Sequence, residues 1–336
     1  MASSPDVIVI GAGVLGLCSA AELAARGHAV TVIDPGGANA SAVAAGMIAP
    51  AMESLLDETT PERAALLRRA RDLWPSFAET HGLKLRREGA DWRGDDAGAA
   101  LDRLTALGFE AEAIDGGVRT SEDWRVEVGP GLTALARVPG VSVVRATVAR
   151  VSGDSRRWRV EAADGRVWFT PSLVVATGAA TAIEGLPLDV AARIAAIQPI
   201  KGQLSYFAGL SAPAVIRAEG AYVAPAEGGV VIGATMQPGE RDLAPDMDAA
   251  QGQTSKGLGL LGLETREGVA RVGIRGATPD GLPLAGPTEA EGLHLALAPR
   301  RNGWLLGPMV ARVVADGIEG MTPVPDAAAL DPARFD

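Results

Sequence analysis

The stretch "DVIVIGAGVLGLCSAAELAARGHAVTVID", residues 6–34, determines the predicted fold because it reads as strand, turn, helix and strand. Residues 7–10 are a short branched apolar run, which is typical of a buried parallel strand. Residues 15–25 have helical composition, and Gly27 ends the helix. Residues 29–34 contain the second strand. This order of elements predicts a βαβ unit at the start of an α/β sheet.

Three glycines with GxGxxG spacing, Gly11, Gly13 and Gly16, stand between the first strand and the helix. In this context they allow the tight turn, the approach of a pyrophosphate to the backbone, and close packing of helix and strand. The N–H groups at the start of the helix then face the phosphates. Asp34 follows at the distance expected for a residue that accepts hydrogen bonds from ribose hydroxyls. We therefore predict a dinucleotide site; the alternative is a turn whose glycines serve packing alone.

Composition limits the class of protein. The chain has 336 residues, 47% of them hydrophobic and 21% charged, which predicts a globular protein of about two domains. A net charge of -10 disfavours nucleic acid and anionic membrane surfaces as partners. The single cysteine, Cys18, excludes an internal disulfide and a cysteine cluster, and no metal site is predicted. The apolar run 7–33 is interrupted by charged residues, so no membrane span is expected, and the start of the chain lacks signal-peptide features. We expect a cytoplasmic protein.

Three later segments favour a flavin over a nicotinamide dinucleotide. "VVATGA", residues 174–179, reads as a buried strand followed by small residues that suit the far side of a dinucleotide. Residues 141–179 read as a β-meander with a turn at 163–165, which interrupts the alternation of a nicotinamide domain. Residues 39–50 are small and uncharged, which suits a loop along a long flat ligand. A nicotinamide-dependent dehydrogenase remains the alternative from these residues.

Seven segments in a fixed order carry a family resemblance. After the glycine turn they are "SAVAAGMIAP" (41–50), "VVATGA" (174–179), "QPIKGQ" (198–203), "VVIGATMQPGERD" (230–242), "GIRGATPDGLPLAG" (273–286) and "RRNGWLLGP" (300–308). The chain resembles the D-amino-acid-oxidase-like flavoenzymes, and within them it is most similar to the glycine oxidases of thiamine biosynthesis. The resemblance extends from residue 7 to about residue 318, with a shortened stretch between residues 95 and 140.

The resemblance implies an α/β fold, α+β overall, in which a Rossmann-type FAD-binding domain is joined to a mostly antiparallel substrate domain. The implied FAD-binding domain is discontinuous and comprises residues 1–75, 140–190 and 270–336. Residues 76–139 and 191–269 then form the substrate domain. Residues 243–262 are small, polar and loosely patterned, which predicts a loosely ordered, mobile segment.

The implied cofactor is FAD. The cofactor-binding residues implied by the resemblance are Gly11, Gly13, Val14, Leu15, Gly16, Asp34, Pro35, Ala40, Ser41, Ala45, Gly46, Met47, Val148, Thr177, Gly178, Arg301, Asn302, Gly303, Trp304 and Leu305. We expect FAD to be bound without a covalent link, because Cys18 falls within a helix and His28, His81 and His294 lie outside the flavin motifs. Where the family often reads Gly-His, this chain reads Ala298-Pro299.

A carboxylate receptor is the main candidate for the substrate site. Arg275 stands between glycine-rich residues at the end of a predicted strand, and a guanidinium offers two parallel donors to a carboxylate. The alternative is a structural arginine that pairs with Asp280. The resemblance implies catalytic and substrate-binding roles for Arg275, Arg301 and Tyr222, and further substrate contacts for Met236 and Met47. For the last four the alternative is a structural or core role.

The motifs contain no histidine and no carboxylate pair suited to acid–base work. Direct transfer of the Cα hydride to flavin N5 needs no strong base. Together with this absence, the resemblance implies an oxidase of glycine or another small amino acid or amine, which yields an imine, then a 2-oxo acid and ammonia, with oxygen reoxidising the flavin to give hydrogen peroxide. Alternatives are a D-amino-acid dehydrogenase with a quinone or other acceptor, and a flavin-bearing binding protein without turnover. A homo-oligomer is possible from the resemblance.

Overall fold

The computed structural model describes residues 5–37, 39–57, 59–154, 157–180 and 183–336. The strands are β1 (Val7–Ile10), β2 (Val30–Asp34), β3 (Met47–Ile48), β4 (Leu85–Arg86), β5 (Ala90–Arg93), β6 (Glu112–Ile114), β7 (Gly117–Thr120), β8 (Trp124–Val126), β9 (Val141–Arg145), β10 (Val148–Asp154), β11 (Arg157–Ala162), β12 (Val167–Thr170), β13 (Ser172–Val175), β14 (Gln198–Ala208), β15 (Val215–Ala218), β16 (Ala221–Ala226), β17 (Gly229–Gly233), β18 (Gln237–Pro238), β19 (Val269–Ala277), β20 (Leu284–Pro287) and β21 (Leu293–Leu297). The helices are α1 (Val14–Ala25), α2 (Ala40–Val43), α3 (Pro50–Leu56), α4 (Pro61–Asp72), α5 (Trp74–His81), α6 (Ala97–Ala106), α7 (Val128–Ala136), α8 (Leu188–Ala195), α9 (Met247–Leu260) and α10 (Gly303–Ile318).

The first sheet has the order β20-β21-β13-β1-β2-β9 and is parallel except for β20. Strand β1 lies inside it and is buried along its whole length, as its branched apolar run predicts. Helices α1 and α10 pack together over one face, and their buried apolar residues belong to one core cluster. Because β1, β2 and β13 are parallel, their carboxyl ends meet at one edge of the sheet. That edge brings Gly11, Asp34 and Thr177 together.

The second sheet has the order β18-β14-β17-β16-β15-β5-β7-β6, and β19 pairs with β14 as well. Its pairs are antiparallel except β15 with β5. Helix α9 packs on one face of the sheet against β14, β16 and β17. The predicted fold class, a Rossmann-type parallel sheet joined to a mostly antiparallel one, is confirmed.

Two local predictions were wrong in part. Strands β10, β11 and β12 do form an antiparallel meander, and Gly165 makes the expected turn with a φ of 86°. Strand β9, however, pairs with β2 as the edge of the parallel sheet. Residues 247–260, predicted to be loosely ordered, form helix α9, and Asp246 caps it by accepting from the N–H of Ala249 at 2.9 Å. Its glycines lower helix propensity, but Gly257 permits close packing, since an added Cβ would lie 2.3 Å from Ile232 Cγ2.

The domain boundaries stay a proposal. Residues of the first sheet come from 7–34, 141–145, 172–175 and 284–297. Strand β19, residues 269–277, pairs with β14 of the second sheet. The proposed boundary at residue 270, however, assigns nearly all of β19 to the FAD-binding domain.

Candidate active site

The glycine turn after β1 is shaped by close backbone contacts. Gly11 has a φ of 112°, and a Cβ added there would lie 2.4 Å from the carbonyl oxygen of Ala176. A Cβ at Gly16 would lie 2.1 Å from the carbonyl oxygen of Gly11. Neither position has room for a side chain, so the predicted turn and close helix packing both depend on glycine.

Two side chains hold this turn in place. The carboxylate of Asp34 accepts from the N–H of Ala12 at 2.7 Å and from the N–H of Gly36 at 2.7 Å. The hydroxyl oxygen of Ser41 accepts from the N–H of Val14 at 2.9 Å. Asp34 and Ser41, both predicted to bind the cofactor, therefore lie directly beside the glycine turn.

A cavity of about 590 Å³ opens at this edge of the first sheet. The predicted cofactor residues that line it are Gly11, Gly13, Asp34, Pro35, Ala40, Ser41, Val148, Thr177 and Gly178. The hydroxyl of Thr177 is buried and has no hydrogen-bond partner among the described residues. Among the described lining residues Arg241 is the only basic one, and its Nη1 donates to the carbonyl of Ala179 at 2.5 Å. Sequence reasoning missed Arg241, which lies in the loop between β18 and α9, far along the chain from the turn.

A narrower cavity of about 100 Å³ lies between this one and a second large cavity of about 500 Å³, and it shares lining residues with both. Ala40 lines all three. The predicted residues Val14, Leu15, Gly303, Trp304 and Arg301 line the narrow part, and Ala45, Gly46, Met47 and Asn302 line the second large cavity. Gly16 and Leu305 line none of these three cavities. Gly16 packs beneath the glycine turn, and Leu305 is buried in α10.

The loop that carries Ala45 and Gly46 consists of small residues because larger side chains would clash with neighbouring backbone. Gly46 has a φ of 73°, and a Cβ there would lie 2.3 Å from the carbonyl oxygen of Val126. Behind α2, a Cβ at Gly273 would lie 3.0 Å from Ala40 Cα. Small residues thus let this loop lie between β8 and β19.

One face of the second sheet forms the wall of the 500 Å³ cavity. Leu204, Gly233, Tyr222 and Arg217 are direct cross-strand partners in that order, so their side chains share this face. A Cβ at Gly233 would lie 2.9 Å from the Tyr222 hydroxyl, which extends over that glycine. No hydrogen bond joins this hydroxyl to the rest of the described chain, and burial raises the pKa of Tyr222.

The guanidinium of Arg275 lies on the same face, over Gly202, where an added Cβ would lie 2.2 Å from Nη1. Nη1 donates to the carbonyl of Thr235 at 3.2 Å and contacts Met236 Sδ at 3.1 Å. Within the described ranges no carboxylate pairs with Arg275, and burial lowers its pKa. The alternative that Arg275 is a structural arginine paired with Asp280 is wrong, because Asp280 pairs with Arg334 at 2.9 Å. Arg275 is therefore a partly buried cation without an anionic partner in the described chain.

Arg301 differs from Arg275 because protein carboxylates already match its charge. Its guanidinium pairs with Glu53 and, at 2.9 Å, with Asp57. Arg300 also approaches Asp57, at 3.3 Å. Arg301 lines the cavity as predicted, but it enters the site as part of an ion-pair cluster.

Glu53 is the centre of this cluster, and sequence reasoning missed both it and Arg217. Glu53 is 4% exposed and also accepts from Arg217 Nη2 at 2.7 Å. Burial alone raises its pKa, but the charges of Arg217 and Arg301 outweigh burial and lower it to about 2. The sequence features that could have indicated these two residues are a single glutamate in the otherwise uncharged helix α3 and a single arginine in the short strand β15.

The remaining predicted side chains also line the cavity. Met47 Sδ accepts from Arg217 Nη2 at 3.3 Å, and Met236 is 39% exposed beside Arg275. Ala298, which replaces a family glycine, has a left-handed φ of 58°, the conformation that glycine adopts most easily.

The described residues contain no helix of the length and apolarity needed to cross a membrane. None of the three cavities is lined by a histidine of the described chain. Cys18 is buried in α1, and burial strongly raises the pKa of its thiol.

A parallel sheet with a glycine turn, and adjoining cavities that extend from it to an antiparallel sheet, are typical of dinucleotide-dependent oxidoreductases. The chain belongs to the DAO family of FAD dependent oxidoreductases, and the family's sequence pattern matches residues 6–317. It is 28% identical to glycine oxidase of Pseudomonas putida over 98% of both chains. It is 31% identical to the tRNA 5-methylaminomethyl-2-thiouridine biosynthesis bifunctional protein MnmC of Caulobacter vibrioides, over 100% of this chain and 59% of that protein. The solved structure of glycine oxidase from Geobacillus kaustophilus superposes with a TM-score of 0.81 at 25% identity and 99% coverage of each chain.

Proposed function

We propose that this protein catalyses the FAD-dependent oxidative deamination of glycine or another small amino acid. The observation that carries the proposal is Arg275, a partly buried guanidinium without a described carboxylate partner, in a cavity that lies beside the dinucleotide cavity. An amino acid carries the anion that such a group binds best.

The residues present fit FAD. The cradle at Gly11 and Gly16 excludes side chains, and the buried hydroxyl of Thr177 lacks a partner within the described protein. The hydroxyl of Ser41 and the guanidinium of Arg241 would hold the diphosphate, and Asp34 would accept from the ribose. When bound, FAD supplies a hydride acceptor, so the chain need only bind and orient the amine. The absence of a covalent link remains a prediction.

The wall of the substrate cavity then orients the amino acid. Arg275 binds the carboxylate, and the Tyr222 hydroxyl donates a further hydrogen bond to it. Gly202 and Gly233 leave room on the sheet face for the Arg275 guanidinium and the Tyr222 hydroxyl.

The described residues of the cavity wall offer no strong base for this step. Glu53 remains ionised, but both of its oxygens accept from arginines. The substrate amine therefore enters neutral, and its lone pair drives loss of the Cα hydride. The resulting imine is hydrolysed by water to a 2-oxo acid and ammonia. A role in thiamine biosynthesis follows from the resemblance to glycine oxidases and belongs to the same proposal.

The proposal is tested with the purified yellow protein and a panel of glycine, sarcosine, D-alanine and D-proline. We expect anaerobic bleaching of the flavin spectrum by at least one of them, and peroxide on admission of air. Bleaching without peroxide would assign the protein as a dehydrogenase with another acceptor. Failure of every amino acid to bleach the flavin would overturn the proposal.

A further inference from the structure

A buried carboxylate outside the three cavities has no task in the proposed mechanism. Asp123 directly precedes β8, is 2% exposed and lines none of these cavities. One of its oxygens accepts from the backbone N–H of Ala51 at 2.8 Å, and the other accepts from the N–H of Met52 at 3.1 Å. Both N–H groups belong to the first turn of α3, and they lie 72 and 71 residues earlier in the chain. Asp123 therefore caps α3 from another part of the fold.

Helix α3 has no side-chain cap of its own. It begins at Pro50, which has no N–H, and the preceding Ala49 has no side-chain acceptor. The first N–H groups of a helix lack partners within the helix, and a buried one left unpaired is unfavourable. Ala51 and Met52 are fully buried, so their N–H groups depend on an acceptor from the protein. A carboxylate supplies both acceptors, whereas an asparagine amide in the same place supplies one.

The capped turn positions the centre of the ion-pair cluster. Glu53 is the residue after Met52, and its two oxygens accept from Arg217 Nη2 at 2.7 Å and from Arg301 Nε. Both arginines line the 500 Å³ cavity. A shift of the first turn of α3 would therefore move the carboxylate that holds these two guanidinium groups.

The strand that follows Asp123 holds the other end of the same segment. Strand β8 pairs with β3, and the N–H of Val126 donates to the carbonyl of Gly46 at 2.9 Å. Gly46 and Met47 line the cavity, and Met47 Sδ accepts from Arg217 Nη2 at 3.3 Å. Residues 123–126 thus hold residues 46–53 at both ends.

We propose that Asp123 is a positioning residue for the substrate site. By capping α3 it holds Glu53 where that carboxylate pairs with Arg217 and Arg301, and it thereby sets the positions of both guanidinium groups in the cavity. The inference rests on the proposed function, but it concerns the binding of a carboxylate and no bond-making step. An effect of charge alone would have the opposite sign, because loss of a negative charge near the cavity strengthens anion binding, whereas displacement of α3 weakens it.

The charge of Asp123 depends on pH near neutrality. Burial is the largest effect on its pKa and, with Glu53, raises it, whereas Arg217 and the two backbone N–H groups lower it, and the resulting pKa is about 7. Variants are therefore compared at about pH 8.5, where the carboxylate of the wild-type protein is ionised.

The test uses the full-length, FAD-loaded enzyme, with acetate as the probe. Acetate binding is followed by the change in the flavin absorption spectrum, and flavin reduction by the best amino acid of the panel is followed by stopped flow. Asp123→Asn should raise the dissociation constant of acetate about 5-fold or more and lower kcat/KM about 10-fold or more, with FAD content unchanged. In the Glu53→Gln background, Asp123→Asn should change acetate binding by less than about 2-fold, because the carboxylate through which it acts is already removed.

The matched control is Thr60→Val, which removes the side-chain cap of α4. The hydroxyl oxygen of Thr60 accepts from the N–H of Arg63 at 3.3 Å, and no residue of α4 lines the three cavities, so acetate binding should be unchanged. An equal loss in Thr60→Val would show a general effect of helix caps and would overturn the inference.

The inference is also overturned if Asp123→Asn binds acetate as tightly as wild type, or if the effects of Asp123→Asn and Glu53→Gln add. If Asp123→Asn does not fold, Asp123→Glu decides. It keeps the charge, but its longer side chain displaces α3, so it should weaken acetate binding as well, and wild-type binding would contradict the proposed role. If no amino acid reduces the flavin, the proposed function fails, and the acetate titration still tests the role of Asp123.

Discussion

At the scale of single residues, the site is distinguished by how each arginine is compensated. Arg301 has two carboxylate partners, whereas Arg275 has a carbonyl and a thioether. A partly buried charge without a counter-ion is costly, so the surroundings of Arg275 favour an anionic ligand. The roles of Arg275, Arg301 and Tyr222 stay predictions, to be tested separately.

Replacement of Arg275 should impair amino-acid oxidation and leave FAD content unchanged. Arg275→Met removes a charge-assisted pair with the substrate carboxylate, so we expect a loss of about 2–4 kcal/mol, or roughly 30- to 1000-fold in kcat/KM. Arg275→Lys should also be impaired, because it loses the fork geometry. The measurement is stopped-flow flavin reduction, with an amine that lacks a carboxylate as the insensitive control. Unchanged oxidation of amino acids by Arg275→Met would mean that the binding pose is wrong.

Glu53 should make the stability of the protein depend on acid pH. Its pKa falls from an ordinary 4.5 to about 2 in the folded protein, so its stabilising contribution is complete above pH 4.5 and is lost as pH falls toward 2. At pH 7 that contribution is about 3 kcal/mol, because each pKa unit corresponds to about 1.4 kcal/mol. Glu53→Gln should therefore be less stable than wild type at pH 7, and the difference should narrow below pH 4.5. Urea unfolding at fixed FAD excess, from pH 3.5 to 7, measures this; a constant difference would contradict it.

At the scale of elements, β14 and β17 shape the wall of the cavity because they carry glycines where neighbouring strands carry large polar side chains. The Arg275 side chain crosses over Gly202, and the Tyr222 side chain crosses over Gly233. Without those glycines the two functional groups would have to leave the sheet face. The positions of these side chains are therefore set by neighbouring strands as much as by their own.

Gly202→Ala should displace the Arg275 guanidinium, since the new Cβ would lie 2.2–2.4 Å from its atoms. Gly202 lacks the positive φ that would strain alanine, so the effect should fall on substrate binding. We expect KM for the amino acid to rise by about 10-fold or more, the effect of roughly 1.4 kcal/mol, with FAD affinity unchanged. Gly259→Ala in α9, where an added Cβ meets nothing within 4 Å, is the control. Equal kinetics for both variants would show that Arg275 is not held in this position.

The loop between β18 and α9 should contribute to cofactor binding. Lys201 pairs with Asp242 in this loop at 2.7 Å, and Arg241 extends from it to Ala179 beside the cofactor cavity. Arg241→Ala should weaken FAD binding by about 1–3 kcal/mol, the scale of a hydrogen bond to a charged group. Fluorescence titration of the apoprotein measures the dissociation constant. The loss should shrink at high salt, and Lys256→Ala, an exposed charge on α9, should bind FAD normally.

At the scale of the whole molecule, the site exists only where the two sheets meet. The first sheet carries the glycine turn, Asp34 and Thr177, and the second carries Arg217, Tyr222 and Arg275. The loop from β2 through α2 to β3 leads from one to the other, and Ala40 contacts every part of the cleft.

The side chains that line the three cavities predict that FAD is bound without a covalent bond and can be released. Cys18 is buried in α1, and the histidines of the described chain line none of the three cavities, so no thiol or imidazole there is placed to bond the ring. Acid or heat precipitation should release all of the yellow colour into the supernatant. Colour that stays in the pellet would contradict this expectation.

The sequence by itself determined the features whose cause is local. The βαβ unit, its glycine turn and Asp34 were predictable, because a tight turn, a helix start and a buried strand each need particular residues within a few positions. Helix α9 was not predictable, because its glycine-rich composition opposes a helix until the face of the second sheet packs against it. Only the tertiary structure could join Glu53 to Arg217 and Arg301, which are 164 and 248 residues away. Chain spacing carries no information about such contacts, since an ion pair depends on distance in space, and the fold that creates that distance is assembled from both sheets.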